Sequence, residues 1–188
     1  MIVKKSVGEL IKYVDERNSD AKVTDFQGIN INKEFMPTVA DTDSVDPKKY
    51  KVVRNGRFVF SGMQTGRDKT IRISLFSGTE PIIVSPAYTT FEIKDKSVIL
   101  PEYFFMLFLR NESDRYGWFI SDSSVRANLD LDRFEEIEFN IPPIEIQRKY
   151  VKLYKAILRV PELKSQIKEI CPVLLSGAIK EAKLNVKV

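Results

Sequence analysis

Glu92 and Lys94 flank Ile93 at the end of a β-branched and aromatic run, Tyr88 to Ile93, that reads as a strand. Residues two apart on a strand share a face, so this pair could bind a divalent metal and polarise water, the chemistry of a metal-dependent nuclease. That chemistry needs a companion aspartate from a neighbouring strand. Asp68 lies instead in a basic loop, and a solvent-facing strand edge accounts for the pair equally well. Asp41, Asp43 and Asp46 resemble a calcium loop, but the required glycine is missing and Val52 stands where the bidentate Glu belongs. The chain has 188 residues with no histidine, which removes Ser-His-Asp and Cys-His nucleophiles and the usual zinc and iron sites. Cys171 is the single cysteine, so neither an intrachain disulfide nor a thiolate metal site can form. No cofactor or metal centre is expected, and no catalytic residue.

Charge distribution says more than the net charge of +4. Residues 1–143 hold 20 Lys/Arg against 22 Asp/Glu, and residues 144–188 hold 10 against 4, so an acidic body precedes a basic tail. Within the body, Lys48, Lys49, Lys51, Arg54, Arg57, Arg67, Lys69 and Arg72 are opposed only by Asp68, which makes this stretch the candidate phosphate-facing surface.

The elements that must position these groups come from apolar periodicity. Strands are predicted near Tyr50–Val53, Phe58–Phe60, Ile71–Phe76, Ile82–Ser85, Tyr88–Ile93 and Ile137–Ile141, with Asn55-Gly56 marking a tight hairpin turn. Ser61 to Thr70, with Gly62 and Gly66, reads as an exposed loop. Pro101 opens a core helix through Leu109, and Asp130 can cap a short helix from Leu131 to Glu136. From Ile146 the apolar residues Ile146, Tyr150, Leu153, Ile157 and Val160 are spaced four, three, four and three, a coiled-coil seam that calls for a helical partner. Pro161 and Pro172 predict a kinked or segmented helix. The fold class is therefore α/β (α+β): a mixed, strand-rich domain over residues 1–143 and a coiled-coil-type helical region over 144–188. With no signal-length or membrane-length apolar segment, a cytoplasmic location without membrane contact is expected.

Four segments in order, Tyr50-Lys51-Val52-Val53-Arg54-Asn55-Gly56-Arg57-Phe58-Val59-Phe60, Val84-Ser85-Pro86-Ala87-Tyr88, Leu100-Pro101-Glu102-Tyr103 and Ile141-Pro142-Pro143-Ile144-Glu145-Ile146-Gln147, resemble the DNA-specificity subunit of type I restriction-modification systems. The resemblance implies a target recognition domain followed by a conserved helix for dimerisation and methyltransferase docking. A full subunit of that family has two of each, so this chain corresponds to a half-length version, either a natural half-subunit or a fragment. The implied partners are double-stranded DNA, the methyltransferase (modification) subunits, a restriction/motor subunit, and a second copy or second half-subunit paired through the helix. The candidate DNA contacts are Gln64, Arg67 and Lys69 in the glycine loop, and Ser123, Ser124, Arg126 and Asn128 before the last strand, because Arg can fork onto guanine and Gln or Asn onto adenine. The alternatives are the Glu92/Lys94 nuclease and an interaction subunit that no longer reads DNA.

Overall fold

A computed structural model of the chain describes residues 1–38, 45–122 and 127–185. The chain divides into two compact units, Met1–Arg148 and Lys149–Val188.

The first unit is built on β6 (Phe58–Ser61), which follows β1 (Val3–Ser6), α1 (Val7–Leu10), β2 (Ile11–Tyr13), β3 (Phe26–Ile29), β4 (Phe35–Pro37) and β5 (Lys51–Val53). After β6 come α2 (Thr65–Asp68), β7 (Arg72–Leu75), β8 (Ile82–Val84), β9 (Thr89–Ile93), α3 (Pro101–Phe108), α4 (Asn111–Ile120), α5 (Leu131–Glu135) and β10 (Glu138–Ile141). One antiparallel sheet has the order β2-β9-β6-β7, and a second, mixed sheet has the order β4-β3-β8-β5, with β3 and β8 parallel. β1 and β10 form a separate antiparallel pair in register Val3 to Ile141, bringing the two ends of the domain together.

Alternation along β6 gives each sheet face its own core. Phe58 stacks on Phe91 with centroids 5.0 Å apart, and Phe60 stacks on Phe134 of α5 at 4.0 Å. Phe104 of α3 meets Phe58 edge-on at 5.2 Å, and Phe108 extends the aromatic cluster to Phe139. Val59 faces the other way, into Ile29, Val53, Ile82 and Val84. Each large side chain removed from water here stabilises the fold by about 1.5–3 kcal/mol.

Three expectations need correction. Asn55-Gly56 does form a tight turn, with Gly56 at φ 85° and the Arg57 N–H donating to the Arg54 carbonyl at 3.0 Å. The strands it joins do not pair: β5 lies against β8 and β6 against β7 and β9, so the turn hands the chain from one sheet to the other. Asp130 occupies the N-cap position of α5, but its side chain makes no capping bond. Pro161 and Pro172 do not end the tail helix, since α6 (Ile144–Asn185) runs through both. A proline withdraws one N–H and frees one carbonyl four residues back, here those of Ile157 and Lys168. This part of the helix is exposed, so solvent can meet those carbonyls while neighbouring turns keep their bonds.

The Pro142-Pro143 to Gln147 segment launches α6 through a buried hydrogen-bond knot. The Pro143 carbonyl accepts from the Ile146 and Gln147 N–H groups at 2.9 and 3.2 Å. Gln147 is fully buried, takes the Leu100 N–H on Oε1 at 2.9 Å, and donates from Nε2 to the Val98 and Pro142 carbonyls, both at 2.8 Å. One amide therefore ties the strand-to-helix exit to the segment that starts α3.

Candidate functional site

The glycine segment after β6 is not an exposed loop. It closes into the helical turn α2, with Thr65 and Gly66 buried and the Thr65 hydroxyl donating to the Gly62 carbonyl at 3.1 Å. Residues from the other chosen segment clasp this turn. The Leu129 N–H donates to the Gly62 carbonyl at 2.8 Å, the Gly66 N–H to the Ala127 carbonyl at 2.8 Å, and the Gln64 N–H to Asn128 Oδ1 at 3.1 Å. The clasp explains the glycines, because a Cβ on Gly62 would lie 1.9 Å from the Leu129 carbonyl oxygen and one on Gly66 would lie 2.6 Å from Ala127 Cβ.

Backbone strain gathers here as well. Gln64 (φ 60°), Lys69 (φ 54°) and Ala127 (φ 47°) are left-handed without being glycine. Each such residue costs on the order of 1 kcal/mol and persists only where its surroundings enforce it. The structure thus joins Gln64, Arg67, Lys69 and Asn128, although the sequence places Asn128 far from the rest. Ser123, Ser124 and Arg126 lie outside the described residues, as do Asp41 and Asp43 of the acidic loop.

The side chains form an ordered network. Arg67 Nη2 donates to Gln64 Oε1 at 2.8 Å, and its Nε lies 3.3 Å from Asp68 Oδ1. Arg72 bonds the second Asp68 oxygen and approaches Gln64 Oε1 at 3.5 Å. Burial alone would raise the Asp68 carboxyl, but the hydrogen bonds from Arg72 and Arg67 outweigh it and hold Asp68 below its ordinary value. Lys69 Nζ sits 4.8 Å above the Trp118 ring, within cation–π range.

Trp118 marks what sequence reasoning missed, namely α4. This helix presses at Gly117 on Ile71, the residue before β7, where a Cβ would meet Ile71 Cγ1 at 2.4 Å, and leaves Tyr116, Trp118 and Phe119 exposed, with Lys69 of the α2 C-cap over Trp118. The cue was the Tyr116-Gly117-Trp118-Phe119 run, a small residue among large aromatics. Phe119, 82% exposed, is an unusual surface aromatic.

Lys51, Arg54 and Arg57 of the basic stretch are balanced by acids from elsewhere. Glu16 accepts from Arg54 Nη2 at 2.7 Å and from Arg57 Nη1 at 2.5 Å, and Lys51 lies 3.7 Å from Asp15. The hydrogen bond from Arg54, aided by Arg57 against the opposing effect of burial, keeps the Glu16 carboxyl below its ordinary value. A carboxyl lowered on folding contributes stability above the unfolded Glu value of about 4.3 and loses it as pH falls through and below that value. Glu16→Gln should therefore lower stability at pH 7 by about 1 kcal/mol, a figure already discounted for solvent screening, and leave a shallower acid limb. Urea titrations of both proteins between pH 7 and pH 3 check this, with the two curves converging at the acid end.

Glu92 and Lys94 are each turned to another partner. Glu92 faces Lys12 at 3.9 Å, Lys94 donates to the Gly8 carbonyl at 2.7 Å, and the described residues contain no group of three or more potential metal ligands. None of the described helices is long and apolar enough to cross a membrane.

Residues 6–170 match the family model described as the type I restriction modification DNA specificity domain. The chain belongs to this family. It is similar to the HindI specificity subunit of Haemophilus influenzae, with 21% identity over 142 residues, covering 74% of this chain and 30% of that subunit. Its fold is that of the HsdS subunit from Thermoanaerobacter tengcongensis, with TM-score 0.58 and 17% identity over 96% of this chain and 49% of that one. A chain from a type I R-M system whose complex assembly and conformational transition were described gives TM-score 0.52 and 12% identity, covering 90% and 41%. The specificity-domain chain described here thus spans half or less of the length of these relatives.

Proposed function

We propose that this chain reads a DNA sequence on behalf of a type I methyltransferase and performs no chemistry itself. The observation that carries the reading is the clasped α2 turn, where two segments distant in sequence hold Gln64, Arg67, Lys69 and Asn128 together on a strained, fixed backbone. Fixed polar side chains are what base-edge readout requires, with phosphate contacts setting register.

Residues 1–143 serve as the target recognition domain and 144–188 as the assembly region. On α6, Ile146, Tyr150, Leu153, Ile157 and Val160 are 38%, 53%, 59%, 66% and 55% exposed. A seam of this kind is satisfied by a second helix, from another copy or another half-subunit, and the paired helices dock the methyltransferase. Two-fold pairing would produce an inverted-repeat target with a spacer set by helix length. The partner methylates adenine and a restriction/motor subunit cuts.

Methylome sequencing of cells that express the chain with its methyltransferase tests the proposal. The expected result is a bipartite adenine-methylated motif that is absent when this chain is omitted and altered when Gln64 and Asn128 are both changed to alanine. Methylation that is independent of this chain would leave it an interaction subunit without a reading role, and a motif that needs the chain but is unmoved by the double change would put the reading elsewhere than at α2.

A further inference from the structure

We infer that the α2 face reads guanine rather than adenine, with Arg67 as the discriminating residue and Gln64 as its positioning residue. The inference rests on the DNA-reading proposal and adds the identity of the base. A guanidinium carries only donors, so the Gln64 atom facing Arg67 must be the carbonyl oxygen. That Oε1 accepts from Arg67 Nη2 at 2.8 Å, with Arg72 Nη2 a long 3.5 Å away on the same oxygen, so it faces the arginines. Asp68 is likewise engaged by Arg67 and Arg72, and its side chain is only 14% exposed. Asn128 commits its Oδ1 to the Gln64 N–H.

Among the described residues of α2 and its clasp, the carbonyl and carboxylate oxygens of Gln64, Asp68 and Asn128 are therefore all turned into the network. Donors remain: the Gln64 and Asn128 amide NH2 groups, the outer guanidinium N–H groups of Arg67, whose side chain is 63% exposed, and the Lys69 ammonium above Trp118. Adenine presents an acceptor and a donor in the major groove, so a glutamine reading it must offer its carbonyl oxygen, which Gln64 has already committed. Guanine presents two acceptors, N7 and O6, and matches the outward donors of Arg67. Phosphate oxygens are also acceptors. The bonds from Arg67 to Gln64 and Asp68 fix the plane of the guanidinium, and a fixed fork suits the paired acceptors of a base edge better than a freely approached phosphate.

The test compares the motif methylated by the complex carrying the wild-type chain with that carrying Arg67→Ala. One position, a G·C pair in the wild-type motif, should become degenerate while the others hold, with discrimination there falling about tenfold or more. Relaxation at an A·T pair, or an unchanged motif, overturns the inference while leaving the DNA-reading proposal intact. A wild-type complex that methylates no motif overturns both. If Arg67→Ala abolishes methylation, binding of the wild-type complex to its target with 7-deazaguanine at each guanine in turn decides the matter. Loss of about tenfold at a single guanine, with no further loss in the Arg67→Ala complex, supports the inference; an equal response at every guanine, as for a phosphate contact, overturns it.

Discussion

Asp114→Ala should destabilise the first compact unit, Met1–Arg148, by about 3–5 kcal/mol, the usual consequence of leaving a buried charge without its partner. Lys33 is 5% exposed, and its ammonium lies 2.8 and 3.0 Å from the two Asp114 oxygens and 2.8 Å from the Thr70 hydroxyl. Asp114 also accepts the Ile71 N–H at 2.9 Å, so its loss strands a backbone donor as well as a cation. Lys33 is in the left-handed region at φ 64°, a strain of about 1 kcal/mol that these bonds offset. A domain of this kind has only about 5–15 kcal/mol in total, and urea denaturation should show the variant substantially unfolded at modest denaturant. Lys33→Met, which removes the charge itself, should be milder than Asp114→Ala. If the order were reversed, or Asp114→Ala lost less than about 1 kcal/mol, the ion pair would not be buried as described. The effect should reach the α2 face, since Asp114 anchors α4, which carries Trp118, and grips the Ile71 N–H two residues after Lys69.

Much of this was legible from residue patterns, and the failures have physical causes. The α3 helix was readable because proline opens it and its apolar residues leave no doubtful face. The strands from β5 to β10 were readable from β-branched and aromatic runs. By contrast, β1 to β4 carry mostly exposed or half-buried residues, so no apolar run marks them, and β1 to β3 pair with partners far along the chain. The α4 helix was missed because its buried face is small, Ser113 and Gly117, while its large aromatics point outward. The prolines of α6 pointed to a kinked or segmented helix, and the helix is not segmented, because one missing bond at an exposed turn leaves the flanking ladder intact.

The basic stretch shows a different limit, because charge counted along the chain is not charge in space. Glu16 neutralises Arg54 and Arg57 from beyond the window, while Asp68, counted as a minor offset within it, organises Arg67 and Arg72. Gln64, Arg67, Lys69 and Asn128 were identifiable by type. Their coupling was not, since it depends on a clasp between segments about sixty residues apart, and that coupling turns the Gln64 and Asn128 oxygens inward.

Gln147→Ala should cost about 3–5 kcal/mol, although no charge is involved. The substitution leaves the Leu100 N–H and the Val98 and Pro142 carbonyls without the side chain that serves all three. Each such buried group left unpaired costs about 1–3 kcal/mol, and the three losses are less than additive because one cavity could admit a water that serves more than one of them. Gln147→Glu separates hydrogen bonding from shape. A glutamate could still accept from Leu100 but could not donate to the two carbonyls while ionised, so it should be at least as destabilising as alanine, and most of all at high pH. Arg148→Ala, one position on, removes an exposed pair with Glu145 and should change stability by less than about 0.5 kcal/mol. Chemical denaturation of the three variants would distinguish a buried amide knot from general sensitivity of the helix start, for which Gln147 and Arg148 would respond alike. The spacing from Pro142-Pro143 to Gln147 then has a cause in this chain: the prolines fix where the helix begins, and four residues, about one turn, bring the amide back over the Pro142 carbonyl and onto the edge that opens α3.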